Sequence, residues 1–255
     1  MWALPLALFA LVGCVAQPVP RRQTAMIRPQ VSPEVLAKRL VAQQADWPRR
    51  RRFDCAKIKC VALTFDDGPG PYTGKLLDLL RQRGVKVTFF VLGEQVAADK
   101  GGHITRRIVD EGHEIGNHSW SHPSLTGLSP EGLQHELRHT GELVHRLTGV
   151  TMRVMRPPYG NTDTAVAAET RREGLAQILW DVDTLDWLHR HPEAIIKQAD
   201  TAKPGSIVLM HDIHPTTVEA VPKVLDTLTK KGFTFVTVSE LYGRPPSPGR
   251  TYTAR

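Results

Sequence analysis

From residue 61 onward the chain alternates between short apolar runs and longer runs whose apolar residues recur every three or four positions. The short runs cover residues 61–65, 87–92, 113–117, 153–156, 176–183, 206–211 and 233–238, and each has the length and composition of a buried strand. Between them lie helical patterns. Ser129-Pro130-Glu131, for example, offers an N-cap and a Pro at the first helical position, ahead of a stripe of Leu133, Leu137, Thr140, Val144 and Leu147. Gly84, Gly112, Gly149, Gly174, Gly205 and Gly232 each stand just before the next strand. Strands that alternate with helices build a parallel sheet, and seven such units predict an α/β fold, a distorted (β/α)7 barrel of parallel strands.

The front of the chain reads differently. Residues 2–12 are almost wholly apolar, too short to span a bilayer and about right for the core of a signal peptide over residues 1–16. Leu11-Val12-Gly13-Cys14 resembles a bacterial lipobox, so Cys14 is the expected lipidation site, with simple cleavage near Ala16 as the alternative. No Lys or Arg precedes the apolar run. The protein is therefore expected to be exported, either held on the outer face of the membrane as a lipoprotein or secreted.

Charge follows the same division. Between residues 15 and 54 there are nine Lys or Arg against three acids, whereas residues 55–255 carry 24 against 23. The basic, Pro-rich stretch 17–52 is expected to be a linker lying against an anionic membrane or cell wall; export argues against nucleic acid as its partner. Ser32-Pro33-Glu34, with Val35, Leu36, Leu40 and Val41 behind it, predicts a short helix inside that linker. Residues 53–243 form the expected catalytic domain, and 244–255 a flexible tail. Cys55 and Cys60 enclose four residues just before the first strand. In an exported protein they predict a small disulfide loop, because two thiols without further Cys in the domain cannot complete a structural zinc site.

Candidate chemistry collects at the C-terminal strand ends. Thr64-Phe65-Asp66-Asp67-Gly68-Pro69 closes the first strand and His118-Ser119-Trp120-Ser121-His122 the third; Arg156 ends the fourth, Asp183 the fifth and His211 the sixth. That rim is where parallel α/β folds assemble their sites. Taken alone, Asp-Asp-Gly-Pro is ordinary turn chemistry. Two imidazoles and one carboxylate, however, suit zinc or a related divalent ion such as cobalt, manganese or nickel, with positions open for water and substrate. Non-haem iron oxygenases use the same residue types, but their usual His-x-Asp spacing is missing here, and a second adjacent carboxylate would have no role. His135 and His139 repeat the i,i+4 spacing, yet each stands two residues, about 200° of helix, from Leu133 and Leu137 and is predicted to face solvent.

With these motifs in place the chain resembles the polysaccharide deacetylase family that shares the NodB homology domain, over about residues 61–242. Thr64 to Pro69 resembles the family's first motif, His118 to His122 the second, and Arg156-Pro157-Pro158-Tyr159-Gly160 the third. Asp183-Thr184-Leu185-Asp186-Trp187 resembles the fourth and Leu209-Met210-His211 the fifth. The resemblance implies that Asp67, His118 and His122 hold the metal, that Asp66 is the general base and that His211 is the general acid. It also implies that Arg156 orients Asp66, that Asp183 partners His211, and that the Tyr159 N–H stabilises the oxyanion. A structural ion pair between Arg156 and Asp183 is the plainer alternative. Tyr159, Trp187, Leu209 and Trp120 are the expected substrate contacts, while Trp180 fits core as well as rim. The implied reaction is hydrolysis of N-acetyl groups on a polysaccharide, with peptidoglycan N-acetylglucosamine or N-acetylmuramic residues favoured. Chitooligosaccharides and O-acetylated xylan are the alternatives, and an inactive glycan-binding lipoprotein the remote one. A monomer is expected.

Overall fold

The structure is a computed structural model that describes residues 51–255. The expected signal peptide, the lipobox Cys14 and the linker helix lie outside the described residues. Among the described residues the strands are β1 (Cys60–Gly68), β2 (Thr88–Val91), β3 (Glu114–Asn117), β4 (Val154–Met155), β5 (Ala176–Ile178), β6 (Val182–Asp183), β7 (Ile207–His211), β8 (Thr234–Phe235) and β9 (Thr251–Tyr252). The α-helices are α1 (Thr73–Arg83), α2 (Gly93–Ala98), α3 (His103–Asp110), α4 (Pro130–Thr148), α5 (Thr164–Arg172), α6 (Asp186–His189), α7 (Pro192–Ala199), α8 (Pro215–Lys230) and α9 (Val238–Leu241). The strands pair in parallel in the order β6-β7-β1-β2-β3-β4-β5-β9, with β8 added to the start of β1. This is an α/β fold with a curled parallel sheet, as the alternating pattern predicts.

Two expectations change. The run 176–183 is not one strand but two, because residues 179–181 leave the ladder. The Arg156 guanidinium takes the Ile178 and Leu179 carbonyls, and the Asp181 carboxylate turns to the Ile207 N–H and the Ser206 hydroxyl. As a result β5 belongs to one end of the sheet and β6 to the other, and the barrel is split between them. The second change concerns the tail. Residues 251–252 pair with β5, and the Gln177 and Leu179 N–H groups donate to the Arg250 and Tyr252 carbonyls, so the 244–255 segment covers a sheet edge rather than hanging free.

Side-chain alternation along β1 divides the interior. Val61, Leu63 and Phe65 point into a core shared with Leu76, Leu77 and Leu80 of α1, and with Val221 and Leu225 of α8. Cys60 and Ala62 point the other way, into the curl of the sheet with Phe90, Val154, Ala176 and Ile178. Thr64 and Asp66 continue that inner face by the strand period of two, which places a carboxylate at its open end. Helix α4 behaves as its stripe predicts: Leu133, Leu137, Thr140 and Val144 are buried, and Ser129 caps the Gly132 N–H at 3.2 Å. Cys55 and Cys60 are disulfide-bonded. Arg51, expected to lie in the linker, instead docks on the domain through its ion pair with Glu240 at 2.8 Å.

Candidate active site

Six described non-glycine residues have φ in the left-handed region: Asp67, Ser119, His122, Tyr159, Leu185 and Arg190. All six lie at or beyond the C-terminal ends of β1, β3, β4 and β6. Such backbone costs on the order of 1–3 kcal/mol per residue and persists only where surrounding contacts over-determine it. At Gly68, between the Asp pair and Pro69, a Cβ would come 2.7 Å from Asp212 Oδ1, so any larger residue would have to displace that buried carboxylate.

These turns bring Asp67, His118 and His122 together, with their ligand atoms all within 4.8 Å of one another. Asp67 Oδ1 is buried without a hydrogen-bond partner, 3.4 Å from His118 Nε2 and 3.6 Å from His122 Nε2. Burial pushes the Asp67 carboxyl up, but the His118, His211 and His122 imidazoles outweigh it and hold it at about 2. His118 Nδ1 lies 2.7 Å from the Arg156 carbonyl oxygen, so Nδ1–H donates there and Nε2 presents its lone pair to the cluster. Burial, with His118 alongside, pushes His122 below the ordinary imidazole range. An orphaned carboxylate oxygen facing the Nε2 atoms of two imidazoles fits a divalent metal, as the residue types suggest.

Beside this cluster stand an acidic and a basic group on adjacent strands, for Asp66 and His211 are register partners across β1 and β7. Asp66 Oδ1 accepts from Arg156 Nη1 at 2.8 Å, and its Oδ2 lies 3.6 Å from His118 Nε2. Arg156 is wholly buried; the same Nη1 donates to Thr64 Oγ1 at 2.8 Å, and the guanidinium stacks 4.4 Å over the Phe90 ring. Burial lowers its pKa, and the neighbouring Asp66 carboxylate opposes that fall without reversing it. The alternative of an Arg156–Asp183 ion pair is not what the structure contains.

His211 is held by Asp186, not by Asp183. Asp186 Oδ1 lies 2.8 Å from His211 Nδ1, while Oδ2 accepts from the His211 N–H and from Thr217 Oγ1, both at 2.7 Å. Burial lowers the His211 pKa, and Asp186, with Asp66 and Asp67 behind it, overrides burial and raises it to about 9. Asp183 accepts instead from the Leu185 N–H at 2.8 Å and shapes the turn that swings Asp186 inward. Both acids sit in the fourth motif, so the residue type was visible and its partner was not.

The expected substrate contacts divide as well. Tyr159 and Trp187 are 65% and 47% exposed, and the Tyr159 ring stands 4.7 Å from that of His122. Leu209 is buried in β7, its neighbours across the sheet being Asp183 and Thr64. Trp120 does not join them. Its ring fills the space above Gly93 and lies 6.3 Å and 6.1 Å from the rings of His135 and His139, which are exposed on α4 as predicted. Trp180 is half-buried, 5.4 Å from the Arg156 guanidinium. Asp212, which carried no sequence signal, is fully buried behind the site. Desolvation raises it to about 7, and the Thr73 hydroxyl donates to it while accepting from the Gly70 N–H at 2.7 Å.

The polysaccharide deacetylase family profile matches residues 54–178. A peptidoglycan-N-acetylglucosamine deacetylase of Listeria monocytogenes is 43% identical over 196 residues, which are 76% of this chain and 41% of that protein. The match thus spans about two fifths of the length of that relative. A chitin deacetylase of Colletotrichum lindemuthianum is 36% identical over 207 residues, 76% of this chain and 84% of that protein. Among solved structures, a "T48 deacetylase with substrate" superposes with a TM-score of 0.75 at 45% identity, covering 78% of this chain and 99% of that one. Shared sequence, fold and strand-end motifs together place this chain in the polysaccharide deacetylase family.

Proposed function

We propose that the protein is a metal-dependent hydrolase that removes N-acetyl groups from cell-wall glycan, acting on N-acetylglucosamine or N-acetylmuramic residues of peptidoglycan. The observation that carries this reading is a pair of oppositely supported groups on neighbouring strands, Asp66 beside a buried guanidinium and His211 raised to about 9, flanking an Asp-His-His cluster. A carboxylate positioned by a guanidinium and an imidazole positioned by a second carboxylate supply the base and the acid that amide hydrolysis requires.

A divalent ion, zinc in our reading, held by Asp67, His118 and His122 would make water nucleophilic at neutral pH and polarise the acetyl carbonyl. Asp66 takes the proton of the attacking water at Oδ2, the oxygen left free by Arg156. The Tyr159 N–H, displayed by its left-handed backbone, faces the developing oxyanion. His211, protonated and anchored through Nδ1, delivers its Nε2 proton to the amine nitrogen as the C–N bond breaks, so acetate and a free amine leave. Trp187 and the Tyr159 ring offer exposed aromatic faces to sugar, and Leu209 walls the acetyl group.

Peptidoglycan is favoured because an exported protein with a basic leader meets it first. The Cys55–Cys60 disulfide supports an oxidising compartment, and Cys14 is the residue that would carry a lipid. The likeness to a chitin deacetylase makes chitooligosaccharides the second reading. Acetate release from purified peptidoglycan and from chitooligosaccharides, with and without chelator and added zinc, tests both. Metal-dependent acetate from peptidoglycan is expected, and release from chitooligosaccharides alone would move the substrate while keeping the chemistry. Absence of acetate from either, with metal bound, would favour O-acetyl esters such as xylan or a glycan-binding role.

A further inference from the structure

We propose that Glu136, on α4, is a positioning residue that fixes His122 for metal binding, by clamping the backbone of the loop between the two histidine ligands. The inference rests on the reading that Asp67, His118 and His122 hold a divalent ion. Glu136 is 8% exposed and reaches the loop from outside the sheet. Its Oε2 accepts from the Trp120 N–H at 2.7 Å and the Ser121 N–H at 2.8 Å, and its Oε1 accepts from Ser121 Oγ at 2.9 Å. The loop thus satisfies both oxygens of a buried carboxylate. An apolar residue would pack on this buried stripe without the desolvation cost of a charge, so the carboxylate is explained by the loop it holds.

The loop has reason to need holding. Ser119 and His122 both adopt left-handed backbone, with φ of 73° and 63°. The first histidine is secured independently, since His118 Nδ1 is bound to the Arg156 carbonyl and its own N–H donates to the Val91 carbonyl at 2.9 Å. His122 has less support: its N–H donates to Ser119 Oγ at 3.0 Å, and its ring is half-buried against Tyr159. Between these two residues the Trp120 and Ser121 N–H groups are fixed by Glu136. Removing the carboxylate orphans both N–H groups; the Ser119 and Trp120 carbonyls stay bound to the Gly93 and Glu94 N–H groups, so what loosens is Ser121 and, next to it, His122. The Glu136→Gln substitution would preserve the clamp, because a side-chain amide carbonyl accepts the two N–H groups and its NH₂ can donate to Ser121 Oγ.

Zinc affinity, measured by calorimetry on the full chain, tests this in the wild type and in Glu136→Gln, Glu136→Leu and His122→Ala, with thermal unfolding of each metal-free protein alongside. Support of an orienting group beyond the ligands is worth about 10–100-fold in metal affinity. We expect Glu136→Leu to weaken zinc by that factor and Glu136→Gln by less than about threefold. In the His122→Ala background, Glu136→Leu should add little further loss, because the clamp acts through His122. Equal zinc affinity in wild type and folded Glu136→Leu overturns the inference, as does full additivity with His122→Ala. If Glu136→Leu does not fold, Glu136→Asp decides, because it keeps the charge but falls one methylene short of the Trp120 and Ser121 N–H groups: weakened zinc binding with unchanged thermal unfolding supports the clamp, and unchanged affinity overturns it. A wild type that binds no zinc, cobalt, manganese or nickel overturns the ligand assignment itself, a result distinct from loss of the clamp alone.

Discussion

Asp186 grips His211 twice, through the ring at 2.8 Å and through the backbone N–H at 2.7 Å. One carboxylate thereby sets both the orientation of the imidazole and the position of its main chain. Because His211 is raised from 6.5 to about 9, it stays protonated across the neutral range. Asp186→Asn should therefore move the alkaline limb of the kcat/KM profile toward the ordinary histidine value, whereas Asp183→Asn should leave that limb in place. A pH–rate profile of both variants reads this directly, and an unmoved limb in Asp186→Asn would sink the pairing's role. The same shift fixes a stability dependence. The folded-state pKa is the higher one, so the contribution of the pair is complete below about 6.5 and is lost as pH rises through about 9.

Asp66→Asn should retain metal and lose turnover, by roughly 10²–10⁴-fold for removal of a general base. His118→Ala should lose both. Metal content by elemental analysis, read beside acetate release, separates the two cases, and normal activity in either variant contradicts the assigned site.

Arg156→Met leaves the buried Asp66 carboxylate without its partner and the Ile178 and Leu179 carbonyls without a donor. Breaking one side of a buried ion pair costs about 3–5 kcal/mol. Urea unfolding should show that loss, together with a collapse of activity. A fully stable variant would mean that the pair is not held dry.

Stripping the metal with a chelator should abolish acetate release and lower Tm, and added zinc should restore both. A ligand bound only by the native state stabilises by about 2.7 kcal/mol at one hundred times its Kd. A Tm indifferent to zinc would argue against the Asp67, His118, His122 cluster as the binding site.

Removing residues 247–255 strips β9 from β5 and leaves the Gln177 and Leu179 N–H groups at an open edge. A lower Tm and a tendency to aggregate are expected, by light scattering, even though the catalytic groups are untouched. An unchanged Tm would show that the tail covers the edge without stabilising it.

Much of the site was legible along the chain because parallel strands deliver their last residues to one rim, and a period of two decides which of those residues face inward. Asp66, Asp67, His118, His122, Arg156 and His211 can be reached from sequence in this way, and the structure brings all six together. Contacts made across turns cannot. Asp183 and Asp186 are three residues apart, and the left-handed Leu185 between them, not their chemistry, points the second at His211. The split of the 176–183 run has the same origin, since the carbonyls that a continuous strand would keep are drawn to a guanidinium on another strand. Glu136 and Asp212 were invisible because they occupy ordinary helix and strand-end positions, and only packing shows which loops they face. The sequence by itself determined the alternating fold and the set of groups at its rim, for these follow from local periodicity. The pairing of acid with base, the break in the barrel and the supports of the ligand loop were decided by tertiary structure, because hydrogen-bond partners distant in sequence are chosen by proximity alone.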